Sequence, residues 1–177
     1  MYGADPSAPE IGDDPLVVER KLAGIEPVRP RRSTGAIYQS PMLGRLHFVR
    51  MAHGQVSFWS GEQRMPDSRF ALQIVCEVDS DRLPGPDHVA CVVALRRHQV
   101  QDAMQCVPLI NARLQEQQVF STVSADDLVL TAIHLPPHPF TDARYELSYR
   151  STSEPKMQFT VTVVRGVPHS VRIDSDA

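Results

Sequence analysis

The sequence predicts an α+β fold in which antiparallel β meanders flank a central helical segment, about residues 87–118, packed on the sheet. One run alternates strictly and predicts a strand with one face on a core, because its apolar residues recur at every second position: Phe70, Leu72, Ile74, Cys76 and Val78. Between residues 87 and 107 the apolar spacing changes to three, four and seven, which is typical of an amphipathic helix. Alternating segments return in residues 128–174, so the chain reads as meander, helix, meander.

Composition indicates one globular domain, since 42% of the 177 residues are hydrophobic and 22% are charged. The net charge of −3 argues against a nucleic-acid partner, because nucleic-acid binders present a basic face. No apolar run approaches the roughly 20 residues that a membrane span needs, so no membrane partner is expected. The N-terminus has neither the basic nor the apolar region of a secretory signal, and we expect a cytoplasmic location.

The N-terminal part predicts three divisions of the chain. Residues 1–14 are rich in Pro, Gly, Ala and Asp and predict a flexible segment. Asp14-Pro15 begins a short helix, and residues 15–39 comprise that helix and a basic linker. The arginines of the linker could contact phosphate or an acidic partner, although a solvated loop is the commoner role of such a run. Residues 40–177 then form a single α+β domain.

The first meander is expected from strands over residues 44–50, 55–61 and 69–78, separated by turn residues. In the second strand, the alternation predicts that Val56 and Phe58 point inward and that Trp59 lies on the opposite face. Trp59 then either packs under the N-terminal helix or is an exposed anchor of the kind enriched at interfaces.

The central helix should begin at Pro86-Asp87. The valine-rich run 88–95 could form a strand by itself, but the apolar stripe continues past Leu95 and favours a helix. Pro108 should kink this helix or begin a second one over residues 109–118.

The last third predicts strands over residues 128–135, 144–150, 158–164 and 168–174. The core should contain the inward residues of the two clearest strands, namely Phe70, Leu72, Ile74, Phe159, Val161 and Val163.

Three cysteines, Cys76, Cys91 and Cys106, leave one unpaired under any pairing, and all three lie in apolar runs. This placement indicates buried free thiols in a reducing compartment. A cysteine nucleophile needs an exposed, activated thiolate, so packing is the better interpretation.

His134 and His138 come closest to a metal-ligand spacing, but Pro136 and Pro137 prevent the helical face on which such a pair binds zinc. Ser124 precedes Asp126-Asp127 and predicts a capped single helical turn before the next strand. We therefore expect no catalytic residue, metal or cofactor, and a protein that is not an enzyme.

Three segments carry a resemblance to a known family: residues 41–48, residues 56–61, and the strands from Tyr145 to Val163 with the turn at residues 166–168. Over residues 40–174 the chain resembles a family of bacterial domains encoded beside secreted polymorphic toxins and regarded as immunity proteins. It departs from that family at residues 151–156, where a short acidic or glycine-containing turn is usual. The resemblance implies a non-catalytic protein that neutralises a cognate toxin by binding it.

Three functions from different classes remain open: a toxin-neutralising binding protein, an adaptor or chaperone for a secreted effector, and a small hydrolase or metalloenzyme. The first needs desolvated anchors in a polar rim, and acidic residues would suit a basic toxin site. The candidate partner-binding residues are those expected to point outward on strand edges and turns: Trp59, Glu62, Arg64, Asp79, Asp81, Asp126, Asp127 and Glu146.

Overall fold

The computed structural model describes residues 35–51, 56–66, 68–79, 82–119 and 121–175. The predicted flexible segment, the predicted short helix and Asp81 lie outside these described residues. In chain order the elements are β1 (Ile37–Ser40), β2 (Gly44–Val49), β3 (Ser57–Arg64), β4 (Ala71–Val78), α1 (Pro86–Glu116), a 3₁₀ turn (Ala125–Asp127), β5 (Leu128–Leu135), α2 (Pro139–Asp142), β6 (Arg144–Ser151), β7 (Met157–Val164) and β8 (Val167–Ser175).

The eight strands form one sheet in simple sequence order, from β1 at one edge to β8 at the other. Neighbouring strands are antiparallel except β4 and β5, which are parallel. Parallel neighbours cannot be joined by a hairpin, so the chain must cross over one face of the sheet between them, and α1 makes that crossover. The predicted α+β fold, two meanders joined by a helix packed on the sheet, is confirmed.

The main core lies between α1 and one face of the sheet. The alternate residues of β4 lie on this face and are almost completely buried: Leu72, Ile74, Cys76 and Val78. From the helix, Val92, Ile110 and Leu114 meet them with no measurable exposure. The alternating residues of β4 and the apolar stripe of α1 therefore pack together in one core.

The facing of β3 was predicted wrongly. Trp59 lies opposite Cys76 in the pairing with β4 and belongs to the main core, with an exposed fraction of 3%. Phe58 lies on the other face in a small apolar cluster with Val49 and Val75, and Val56 is exposed. Both phases of β3 carry large apolar residues, so local alternation could not choose between them, and a one-residue change of phase reverses every side chain.

Helix α1 begins where the sequence predicted, with Gly85 as N-cap, Pro86 in the first turn and Asp87 beside it. It continues without a break to Glu116 with Pro108 inside it, so of the two outcomes predicted at Pro108, the second helix over residues 109–118 does not form. Pro108 is exposed, and so is Met104, whose carbonyl loses its helical partner there. Water can satisfy that carbonyl, which is why the helix tolerates proline at this position.

Two further predictions need correction. Phe70 lies just before β4 and is half-buried outside the core, with the guanidinium of Arg69 4.8 Å from its ring centre. The other five predicted core residues are buried. The sheet also begins at Ile37, inside the segment predicted to be a basic linker, because β1 pairs with β2.

The turn between β7 and β8 and a bulge just after it set the register of the last strand. Arg165 and Gly166 have φ values of 51° and 76°, and two consecutive positive values are the signature of a type I′ turn. The register then shifts by one residue, since Thr162 pairs with Ser170 while Val163 pairs with Pro168. His169 is the extra residue of this bulge.

Candidate functional site

The carboxyl ends of β4 and β5 meet the first turn of α1. Parallel strands end at the same edge of a sheet, and in open α/β sheets this is where ligands bind. Here the edge gathers the carboxylates of Glu77, near the end of β4, and Asp79, just after it, with three histidines from other segments: His88, His134 and His138.

His88 ties the helix to both strands. Its Nδ1 accepts the backbone N–H of Gly85 at 3.2 Å, so the proton of the neutral ring is on Nε2. Nε2 lies 3.0 Å from the carbonyl oxygen of Glu77 and 3.1 Å from that of Pro136, and donates toward both. Burial lowers the pKa of His88, against the opposing effect of the two carbonyls. The imidazole is therefore a neutral structural link.

Two histidine–carboxylate pairs lie beside this link. Nε2 of His134 is 2.9 Å from Oε1 of Glu77, and both side chains are largely buried, with 30% and 22% of their surfaces exposed. Nε2 of His138 is 2.8 Å from Oδ2 of Asp79, where both side chains are mostly exposed. The first pair holds its geometry in partial shelter from water, whereas an exposed pair contributes little to stability.

The sheet face opposite α1 carries polar side chains in rows set by the strand register. One row runs Ser60, Val75, His134, Glu146, Thr162 and Ser170 across six strands. The next runs Glu62, Gln73, Ala132, Ser148, Thr160 and Arg172. We call the surface formed by Glu62, Gln73, Glu77, His134, Glu146 and Thr162 the polar face.

The structure brings only some of the predicted site residues together. Glu146 lies directly across from His134 on the polar face, and Glu62 lies on the same face opposite Gln73. Asp79 is held by His138 at the carboxyl edge, next to this surface. Arg64 is exposed at the far end of β3.

Asp126 and Asp127 lie elsewhere, in the 3₁₀ turn that precedes β5. The eight residues of β5 separate them from the carboxyl edge by roughly 25 Å. Asp127 accepts hydrogen bonds from the hydroxyl of Ser124 at 2.8 Å and its backbone N–H at 3.0 Å, which lower the pKa of the Asp127 carboxyl. The predicted capped turn is confirmed. The Asp127 carboxylate is already hydrogen-bonded to Ser124 within this turn.

Trp59 is not an outward anchor. It is buried against Phe48 and Tyr38, with ring centres 5.1 and 6.0 Å away, and its indole N–H donates to the carbonyl of Arg82 at 2.7 Å. The prediction that it points outward is therefore wrong, because the ring belongs to the main core.

Sequence reasoning missed the pairing of Glu77 with His134. The two residues are 57 positions apart, and only the parallel pairing of β4 with β5 sets Val75 beside His134 and so brings Glu77 into reach. One signal was present: each residue stands near the end of an apolar strand, and a helix between two such strands is the pattern of a parallel crossover.

The thiols of Cys76, Cys91 and Cys106 are free and buried, as predicted. Burial raises the pKa of Cys76 to about 12 and the pKa values of Cys91 and Cys106 to about 11. Within the described ranges, no three His, Cys, Asp or Glu residues are grouped so that they could hold a metal ion. In that same part of the chain, no helix has both the length and the apolar character to cross a membrane.

The described residues form an α+β domain with α1 on one face of the sheet and the polar face on the other. No family model, curated protein or solved structure matches the chain.

Proposed function

We propose that the protein is a non-catalytic binding protein that neutralises a cognate secreted bacterial toxin, and that it engages the toxin with the polar face. One observation carries the choice of surface: Glu77, His134 and Glu146 stand together on neighbouring strands of the face that α1 does not cover. The resemblance of residues 40–174 to immunity proteins supports the kind of partner.

These side chains are held in place before any partner arrives. β4, β5 and β6 are interior strands, each paired on both sides, so their backbones are fixed by the sheet. The Glu77–His134 contact further restricts two of the three side chains. A partner that meets ordered side chains loses less conformational entropy on binding, which favours a tight complex.

The polar face itself holds three carboxylates, while Arg64, Arg144 and Arg150 lie around it on the same side of the sheet, so a basic group of the partner is favoured only at its centre. Glu62, Glu77 and Glu146 contribute carboxylates to the polar face, and the imidazole of His134 stands between two of them. A toxin that attacks nucleic acid or nucleotides has a basic site, and an arginine there could form a charge-assisted hydrogen bond with Glu146. The attraction would speed association and weaken with added salt.

The experiment is to express the toxin domain encoded upstream with and without this protein, and to measure cell survival and the dissociation constant of the purified pair. Charge reversal by Glu146→Lys or Glu62→Lys should weaken the complex by about tenfold or more. Asp126→Lys is the matched control, because it makes the same charge change outside the polar face.

Equal killing with and without the protein, together with no association, would contradict toxin neutralisation. Tight binding that Asp126→Lys weakens as strongly as Glu146→Lys would retain the function but exclude the polar face as its surface.

A second candidate function, an adaptor or chaperone for a secreted effector, is favoured by a different observation. Val100 and Met104 stand one turn apart on α1, and each is 61% exposed. Val100 lines a groove of about 270 Å³, together with Met65, Ala103 and Leu130 among others. An apolar segment of an effector would cover such residues. Val100→Glu should then abolish effector binding while Gln101→Glu, a neighbouring exposed control, leaves it unchanged, and toxin binding through the polar face predicts no effect of either.

A further inference from the structure

Among the described strands, β8 is the last of the sheet and has a neighbouring strand on one side only. It has nine residues, Val167–Ser175, and is the longest strand described, but it pairs with β7 alone. Within the described residues no strand lies on its other side. Such an edge carries backbone donors and acceptors that another strand can pair with. The opposite edge of the sheet is β1, which has four residues.

One face of β8 is apolar and the other is charged, so a strand added at this edge would continue both the core and the polar surface of the sheet. Val171 and Ile173 lie opposite Val161 and Phe159 and pack against the main core on the helix side. Arg172 and Asp174 lie on the other face, where Nε of the arginine is 2.9 Å from Oδ2 of the aspartate. Charged residues can protect an edge from pairing, but opposite charges directly across two paired strands stabilise the pair, whereas like charges destabilise it.

Symmetry decides which charges meet. When two copies of β8 pair antiparallel about a two-fold axis, one residue faces itself and residues equally distant from it face each other. Centred on Ile173, Arg172 of each copy faces Asp174 of the other. Centred on Arg172 or on Asp174, like charges face each other, and centred on Val171, Arg172 faces Ser170.

We propose that β8 is a self-association edge: two copies pair antiparallel, centred on Ile173, so that one continuous sheet spans both. The Arg172–Asp174 contact within each strand is exchanged for two reciprocal contacts between strands. Ile173 of one copy meets Ile173 of the other on the helix side, which extends the apolar core across the interface. The polar face of both copies remains on the same side of the joined sheet.

Charge-swap variants of the full chain, followed by sedimentation equilibrium, test the pairing. Arg172→Asp and Asp174→Arg each place like charges opposite one another and should raise the dimer dissociation constant about tenfold or more. The double variant R172D/D174R rebuilds the complementary arrangement and should recover the wild-type constant within a few-fold. Arg165→Asp makes the same charge change as the first variant in the exposed hairpin turn and should have no effect.

Register is tested separately with a spin label on Val167→Cys, an exposed position at the start of β8, while the native cysteines are buried. Pairing centred on Ile173 places the two labels roughly 40 Å apart, and pairing centred on Val171 places them roughly 26 Å apart. A wild-type protein that stays monomeric at all concentrations overturns the proposal. So does a dimer unaffected by the single charge variants, or a double variant that keeps the wild-type melting temperature yet does not recover dimerisation.

Discussion

Nε2 of His88 in the first turn of α1 lies 3.0 Å from the backbone carbonyl of Glu77 at the end of β4. The same nitrogen reaches the carbonyl of Pro136 just after β5, so one ring joins the helix to the ends of both parallel strands. His88 therefore holds the start of α1 against the ends of β4 and β5, and one of its contacts is to the backbone of Glu77, whose side chain belongs to the polar face.

Removing this ring should destabilise the protein. His88→Ala removes the imidazole that bonds the Gly85 N–H and two carbonyls in partly buried surroundings, and loss of a partner by a buried group costs about 1–3 kcal/mol. We expect a loss of about 2–4 kcal/mol in the free energy of unfolding, measured with urea. His98→Ala, an exposed position on the same helix, should change it by less than about 0.5 kcal/mol. Equal effects at both positions would contradict the structural role of His88.

His88 should also make stability depend on pH. Burial holds its folded-state pKa below the ordinary value of 6.5, so the unfolded chain binds more protons in the window between the two values. The contribution of His88 is therefore complete above pH 6.5 and is lost progressively as pH falls below it. The slope of unfolding free energy against pH should be smaller in His88→Gln than in the wild type, and an unchanged slope would assign the dependence to other groups.

The hydroxyl of Tyr149 should be dispensable for stability. The side chain is 1% exposed, and no described group makes a hydrogen bond of good geometry to its hydroxyl. The nearby thiol of Cys106 is only a weak hydrogen-bonding group. Tyr149→Phe should therefore leave the free energy of unfolding unchanged or raise it by about 1 kcal/mol. A loss above about 1 kcal/mol in thermal or urea unfolding would show that the hydroxyl has a strong partner.

The central strands should be sensitive to cavities. Ile74 and Phe159 have no measurable exposure, so replacement of either by alanine should cost about 2–5 kcal/mol in urea unfolding. Val167→Ala, on the exposed start of β8, provides the comparison and should cost less than about 0.5 kcal/mol. Losses below about half a kcal/mol at both core positions would contradict the placement of β4 and β7.

The three thiols should react slowly in the native state. Thiolate is the reactive form, and burial raises the pKa of Cys76 to about 12 and those of Cys91 and Cys106 to about 11. A thiol reagent at neutral pH should label them fully only after denaturation. Rapid labelling of Cys76 in the folded protein would instead support a reactive cysteine.

Local periodicity was enough to predict much of this architecture. The alternation from Leu72 to Val78 and the helical stripe through Val92 are properties of short segments. Each can be recognised from its own residues, and each predicts which face of its element is apolar. The type of each main element, the two meanders and the burial of the cysteines followed from such patterns. The facing of β3 did not, because Phe58 and Trp59 give both of its faces a large apolar side chain.

Only the tertiary structure decided which distant residues meet. The parallel pairing of β4 with β5 depends on where α1 returns the chain, and that pairing brings Glu77 to His134 across 57 residues. It also separates Asp126 from Asp79, although both were candidates for one surface. Sequence patterns specify the periodicity and burial of each segment, whereas a site depends on the register between segments, which is set by packing across the whole sheet.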